Sequence, residues 1–164
     1  DISEQISLAG TEASGTGCMK LMLNGAVTLG TLDGANIEIR EAVGDDNIII
    51  FGMKNEEVNA LKARGYNPED IYAKNETIRK CINRMYQGIN GCVFSEVANS
   101  LKSQDPYMVL ADFESYRQAQ KFSSETYRDK MKWAKMSLNN IAGAGIFSAD
   151  RAVKEYAKNI WHLK

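Results

Sequence analysis

The residues with the most chemical capacity in this 164-residue chain lie in one short run, Gly10-Thr11-Glu12-Ala13-Ser14-Gly15-Thr16-Gly17-Cys18-Met19-Lys20. Neither of two standard phosphate loops fits it. A Walker loop would place Lys directly after Gly15, where Thr16 stands, and the dinucleotide pattern GxGxxG asks for glycine where Lys20 stands. What remains is a glycine-rich loop that feeds a helix. At such a tip the first backbone N–H groups have no partner within the helix, and the helix dipole favours an anion such as phosphate. Thr16 and Gly17 stand where they can donate those N–H groups.

Lys20 follows Thr16 by four residues, which puts both on one helix face with an offset of ~5.4 Å, one turn. A pyridoxal ring carries its aldehyde and its 5'-phosphate on neighbouring positions. A helix tip that binds the phosphate can therefore offer a lysine amine to the aldehyde one turn on, and a Schiff base can form there. The plain alternative is a helical lysine whose stem lies along the surface with its ammonium in water, which is the rule for a lysine chosen at random. The loop in front of Lys20 shifts the balance. Glu12 and Ser14 fall on the open side of the loop, where a carboxylate and exposed N–H groups can bind sugar hydroxyls, although such residues commonly just solvate a turn or cap a helix.

The elements that must position this loop follow from residue spacing. Asp1 and Glu4 have capping-box spacing, which predicts a helical turn at the start of the chain. Thr16 is the expected N-cap of the next helix, with Met19, Met22 and Leu23 on its apolar face and Asn24-Gly25 as its stop. Residues 26–32 read as a buried strand, 36–43 as a helix ending at Gly44, and 48–51 as a second buried strand. A helix follows from an Asn55 cap to Gly65, and Asn67-Pro68 begins a further turn. Ile78, Cys81, Ile82, Met85 and Tyr86 have the spacing of an amphipathic helix, which places Cys81 in the core. Residues 95–102 read as helix, and 108–111 (Met-Val-Leu-Ala) as a third buried strand, with Asp112 capping a long helix after it. Helices near 130–142 and from Ser148 complete the chain, the last carrying Val153, Tyr156, Ala157, Ile160 and Trp161 as a stripe that needs a partner surface. Trp133 and Trp161 are expected to pack rather than to stack on sugar. The expected class is α/β, a small and mostly parallel sheet covered by helices, with a helical carboxy-terminal region.

Composition excludes several function classes. Twenty Lys plus Arg against twenty-one Asp plus Glu leave a net charge of −1, so no overall field draws nucleic acid or an anionic membrane. Cys18, Cys81 and Cys92 are odd in number and lack CxxC spacing, which argues against a disulfide framework and a zinc site and for reduced, cytoplasmic surroundings. No run approaches the ~20 apolar residues that cross a bilayer. His162 is the single histidine and sits near the end of the chain, where no general-base role is expected. The chain begins at Asp1, and too little of it precedes Gly10 to supply a positioning sheet, so a longer parent protein is expected.

The run SEQISLAGTEASGTGCMKLMLNGAVTLGTLDGANIEI, residues 3–39, closely resembles the pyridoxal-phosphate segment of the α-glucan (glycogen, starch or maltodextrin) phosphorylases. The later stretches NIIIFGM, YMVLADFESY and FSADRAVKEYAKNIW are similar to the end of the same family. The resemblance implies a retaining glycosyltransferase of GT-B type, in which inorganic phosphate reversibly cleaves a terminal α-1,4 bond of a glucan to give glucose 1-phosphate. It implies pyridoxal 5'-phosphate held by Lys20, with Thr16 and Gly17 on the cofactor phosphate and Glu12, Ser14 and Gly15 on glucose hydroxyls. The cofactor's phosphate, rather than its ring, is the part at work in this family. The family usually has Asn where Cys18 stands, which puts a hydrogen bond from that position in doubt. Residues 1–164 would be the carboxy-terminal part of a second, Rossmann-like domain, without the glucan-binding amino-terminal domain, inactive alone and drawn from a homodimeric parent. Two other readings stay open: a nucleotide-binding α/β module, and a packing or oligomeric unit that uses the stripes around Ile82 and Trp161.

Overall fold

A computed structural model describes residues 1–163. Strands β1 (Ile2–Gln5), β2 (Val27–Thr31) and β3 (Ile49–Phe51) form one parallel sheet in the order β1-β2-β3, with Ile2 opposite Val27 and Leu29 opposite Ile49. All five residues of β2 are buried, as a central strand covered on both faces requires. Alternation sends Val27, Leu29, Ile49 and Phe51 to one face, where they meet Ala119 of α7 (Val109–Arg128) and Trp133 and Met136 of α8 (Lys130–Gly143). On the other face α1 (Thr16–Leu23) and α2 (Ala35–Val43) bury Cys18, Met22, Ala35 and Ile39, with Ile50 packed against them. Gly30 permits the close approach of β1 and α2, because a Cβ there would collide with the Gln5 carbonyl oxygen and stand 2.8 Å from Asn36 Nδ2.

A helical layer extends the sheet. It comprises α3 (Asn55–Arg64), α4 (Pro68–Lys74), α5 (Glu76–Gln87) and α6 (Ser95–Ser103), with Ile78, Ile82, Ala98 and Leu110 as a shared core of α5, α6 and the start of α7. The last helix, α9 (Ala149–Asn159), buries none of its residues, and Val153, Tyr156, Ile160 and Trp161 are each more than half exposed. Among the described residues no helix is long and apolar enough to cross a membrane.

Several expectations are corrected. The chain opens with strand β1, not a helical turn: the Glu4 carboxylate is taken by the Tyr116 hydroxyl and the Gln120 amide, and the backbone pairs with β2. Residues 109–111 are the first turn of α7, not a strand. Buried Asp105, three residues before Met108, accepts the N–H groups of Val109 (2.9 Å) and Leu110 (2.8 Å) and so starts a helix. Asp112 therefore lies inside α7, and its carboxylate accepts the Met53 N–H at 2.9 Å instead of capping. Cys81 is exposed, because the buried strip of α5 is only as wide as Ile78 and Ile82. The N-caps of α1 and α3 are Gly15 and Lys54, one residue ahead of the expected Thr16 and Asn55. Leu23 is exposed, and Cys18 takes the buried place on α1.

Candidate functional site

β1 and β2 end side by side, so the segments that follow them, residues 6–15 and 32–34, meet at the carboxyl edge of the sheet, where ligands of open α/β sheets bind. Asp33 joins them. Its buried carboxylate accepts hydrogen bonds from the Ser7 hydroxyl (2.8 Å) and from the backbone N–H groups of Gly10 (2.9 Å), Thr11 (3.3 Å) and Glu12 (2.9 Å). Burial alone would push this carboxyl up, but the donors from Glu12, Gly10, Ser7 and Thr11 outweigh it and hold Asp33 below the usual aspartate range. The Asn36 amide braces the same edge by donating to the carbonyls of Thr31 (2.9 Å) and Gln5 (3.2 Å). Gly34, at φ +51°, closes the contact: a Cβ there would stand 2.5 Å from Ser14 O and 2.9 Å from Glu12 Cγ. The glycine-rich loop is pinned from below by residues about twenty positions later in the chain.

Above that base lie the residues singled out in the sequence. Glu12 and Ser14 are exposed, and the Glu12 side chain turns back so that Oε1 accepts the Ser14 N–H at 3.3 Å. Glu12, Ser14 and Gly15 come together around a small cavity of about 80 Å³ that Cys18, Asp33 and Asn36 also line. Thr16, Gly17 and Lys20 are not among its walls; Thr16 and Gly17 form the adjoining tip of α1. That tip carries no side-chain cap and no acidic residue in its first turn. Among the described residues no protein acceptor takes the N–H groups of Thr16 and Gly17. A Cβ on Gly17 would meet only the Gln5 amide, at 3.9 Å, so the space over the tip is open. These unspent donors at a positive helix end suit a phosphate. Lys20 is exposed one turn further on, and its ammonium forms no ion pair among the described residues. The donor set thus fits a ligand that carries both a phosphate and an amine-reactive carbonyl. No group of three His, Cys, Asp or Glu suited to a metal occurs among the described residues.

Cys18 has a defined place. Its thiol, buried against the loop, donates to the Gly15 carbonyl at 3.0 Å, and burial pushes it up from the ordinary thiol range. Cys18 therefore ties the helix to the loop. The sequence reading assigned no role to Asp33, which grips that loop, or to the Asn36 side chain, which braces the strand ends beneath it. The available signal was an acidic residue in a strand-to-helix turn, opposite a loop rich in N–H donors.

Comparison with known proteins adds a match along the chain: the family model for carbohydrate phosphorylase covers residues 1–163. The chain belongs to this family. It is 46% identical to the glycogen phosphorylase of Synechocystis sp. (strain ATCC 27184 / PCC 6803 / Kazusa), and 45% identical to the muscle forms of glycogen phosphorylase from Rattus norvegicus and Homo sapiens. Each alignment covers 100% of this chain and 20% of the relative, so the chain spans about a fifth of the length of these phosphorylases.

Proposed function

We propose that this chain is the cofactor-holding part of an α-glucan phosphorylase, the carboxy-terminal portion of a Rossmann-like domain in a GT-B type glycosyltransferase. The parent would be a cytoplasmic homodimer that uses inorganic phosphate to release glucose 1-phosphate from the α-1,4-linked end of a glucan. The family match along residues 1–163 supports this over a nucleotide-binding module. The observation that carries the site is the pairing of an uncapped helix tip with an unpaired lysine one turn on.

Pyridoxal 5'-phosphate is the cofactor these residues would hold. The Thr16 and Gly17 N–H groups would bind its phosphate, and the Lys20 amine would fix its aldehyde. The chemistry it supplies when bound is proton exchange and charge stabilisation through that phosphate, beside the substrate phosphate. Glu12, Ser14 and Gly15 would orient glucose hydroxyls at the rim. Asp33 would act as a positioning residue, fixing the loop on which Glu12 and Ser14 stand. The remaining cleft wall and the glucan-binding domain lie outside this sequence, so the 164-residue chain is inactive by itself.

Incubation with pyridoxal phosphate, borohydride reduction and peptide mapping test the site. Lys20 takes the label in preference to other exposed lysines, and Lys20→Arg abolishes it. Labelling spread evenly over the surface lysines overturns the assignment. Glucan-dependent phosphorolysis by the isolated chain overturns the claim of inactivity.

A further inference from the structure

A second and larger cleft, of about 870 Å³, opens where the chain leaves β1 and β3. Its walls are mainly apolar and aromatic, from Ile6, Phe51, Tyr107, Val109, Phe113 and Tyr116, and its volume is that of a small-molecule site. Among the described residues the charged ones that line it are Glu12 and Asp112, and no Lys, Arg or His does so. Asp112 is only 9% exposed. One of its carboxylate oxygens accepts the Met53 N–H; among the described residues no donor reaches the other, and no cation pairs with Asp112 or Glu12. The surroundings worsen the imbalance, since burial and then the charges of Glu57 and Asp105 push the Asp112 carboxyl up.

A buried carboxylate without a counter-ion is costly, and a cation is best received in such a place between aromatic faces. We propose that this cleft binds a small organic ammonium ion with an aromatic or alicyclic body. The ammonium pairs with the free oxygen of Asp112, and the body lies among Phe51, Tyr107, Phe113 and Tyr116. A neutral polyol would leave the charge uncompensated and would waste the apolar walls. The cleft shares Glu12 with the site described above but neither Lys20 nor the α1 tip, so the inference stands independently of the phosphorylase reading.

The test titrates 2-phenylethylammonium and its neutral counterpart 2-phenylethanol into the 164-residue chain, followed by amide chemical shifts and calorimetry. The ammonium binds at least roughly tenfold more tightly, which is about 1.4 kcal/mol, and perturbs Met53, Asp112 and Tyr116. Asp112→Asn erases the difference between the two probes. Val109→Arg, at a half-exposed wall residue, puts an internal cation into the cleft and blocks the ammonium without lowering the melting temperature. Equal affinity for the two probes, no binding of the ammonium, or undiminished binding to Val109→Arg would each overturn the proposal.

Discussion

The Asp33 carboxylate holds the backbone N–H of Glu12 at 2.9 Å across 21 residues of sequence. The partner is the main chain of Glu12, so its side chain is left at the surface while its position is fixed from beneath. Asp33→Asn replaces one accepting oxygen with a donor that faces other donors. It is expected to lower stability by about 2–3 kcal/mol. Amide exchange quickens at Gly10, Thr11 and Glu12, while β2 stays protected. Unchanged exchange in the loop would show that Asp33 does not hold it.

The same carboxylate sets an acid limb. Its pKa is depressed in the folded chain, so the unfolded chain takes up the proton first as pH falls. The stabilisation is complete above the ordinary aspartate value of ~3.9 and is lost as pH drops from there through the folded value. Thermal melts between neutral pH and about pH 3 should fall less steeply for Asp33→Asn than for the parent chain.

Asp112 has the opposite sign. Its folded pKa is raised, so its contribution is most favourable below the unfolded value and is lost as pH rises through the folded one. Asp112→Asn keeps an oxygen for the Met53 N–H and removes the buried charge. The variant is expected to match or exceed the parent in stability at neutral pH, with any gain vanishing in acid.

Asp105 begins α7. It accepts the Val109 and Leu110 N–H groups and the Tyr66 hydroxyl, the last at 2.6 Å. Asp105→Ala removes a cap and leaves a half-buried phenol unpaired, a loss of about 3 kcal/mol. Denaturant unfolding of Asp105→Ala beside Tyr66→Phe measures it, and the double variant should cost less than the sum.

Trp161 contributes little to the isolated chain. It is more than half exposed, two residues past a helix that buries none of its residues, so Trp161→Ser should change stability by no more than ~0.5 kcal/mol. A larger loss would mean that the stripe is covered in solution.

Legibility in the sequence followed the length and period of each pattern. β2 and β3 could be read from short apolar runs bounded by Gly25, Gly44 and Gly52, and the twelve-residue α5 from a helical period sustained over residues 78–86. Residues 108–111 could not be read this way, because four consecutive apolar residues carry no period; Asp105, just upstream, decides for helix. β1 is equally mute at four residues, and it is a strand because β2 supplies its hydrogen bonds. In the site, residue types and one helical spacing pointed to Thr16, Gly17 and Lys20, all three of which are exposed on α1. The grip of Asp33 had only an acidic residue in a turn as its signal, and its partners could not be named, since only the folded sheet brings residue 33 under residues 7–12.

The thiol of Cys18 is 2% exposed and bound to Gly15, whereas Cys81 and Cys92 face solvent. An alkylating reagent would therefore consume two sulfhydryls at once and wait for the third. The lag before that third modification times how often the start of α1 lifts away from its loop, a chemical clock set two residues before Lys20.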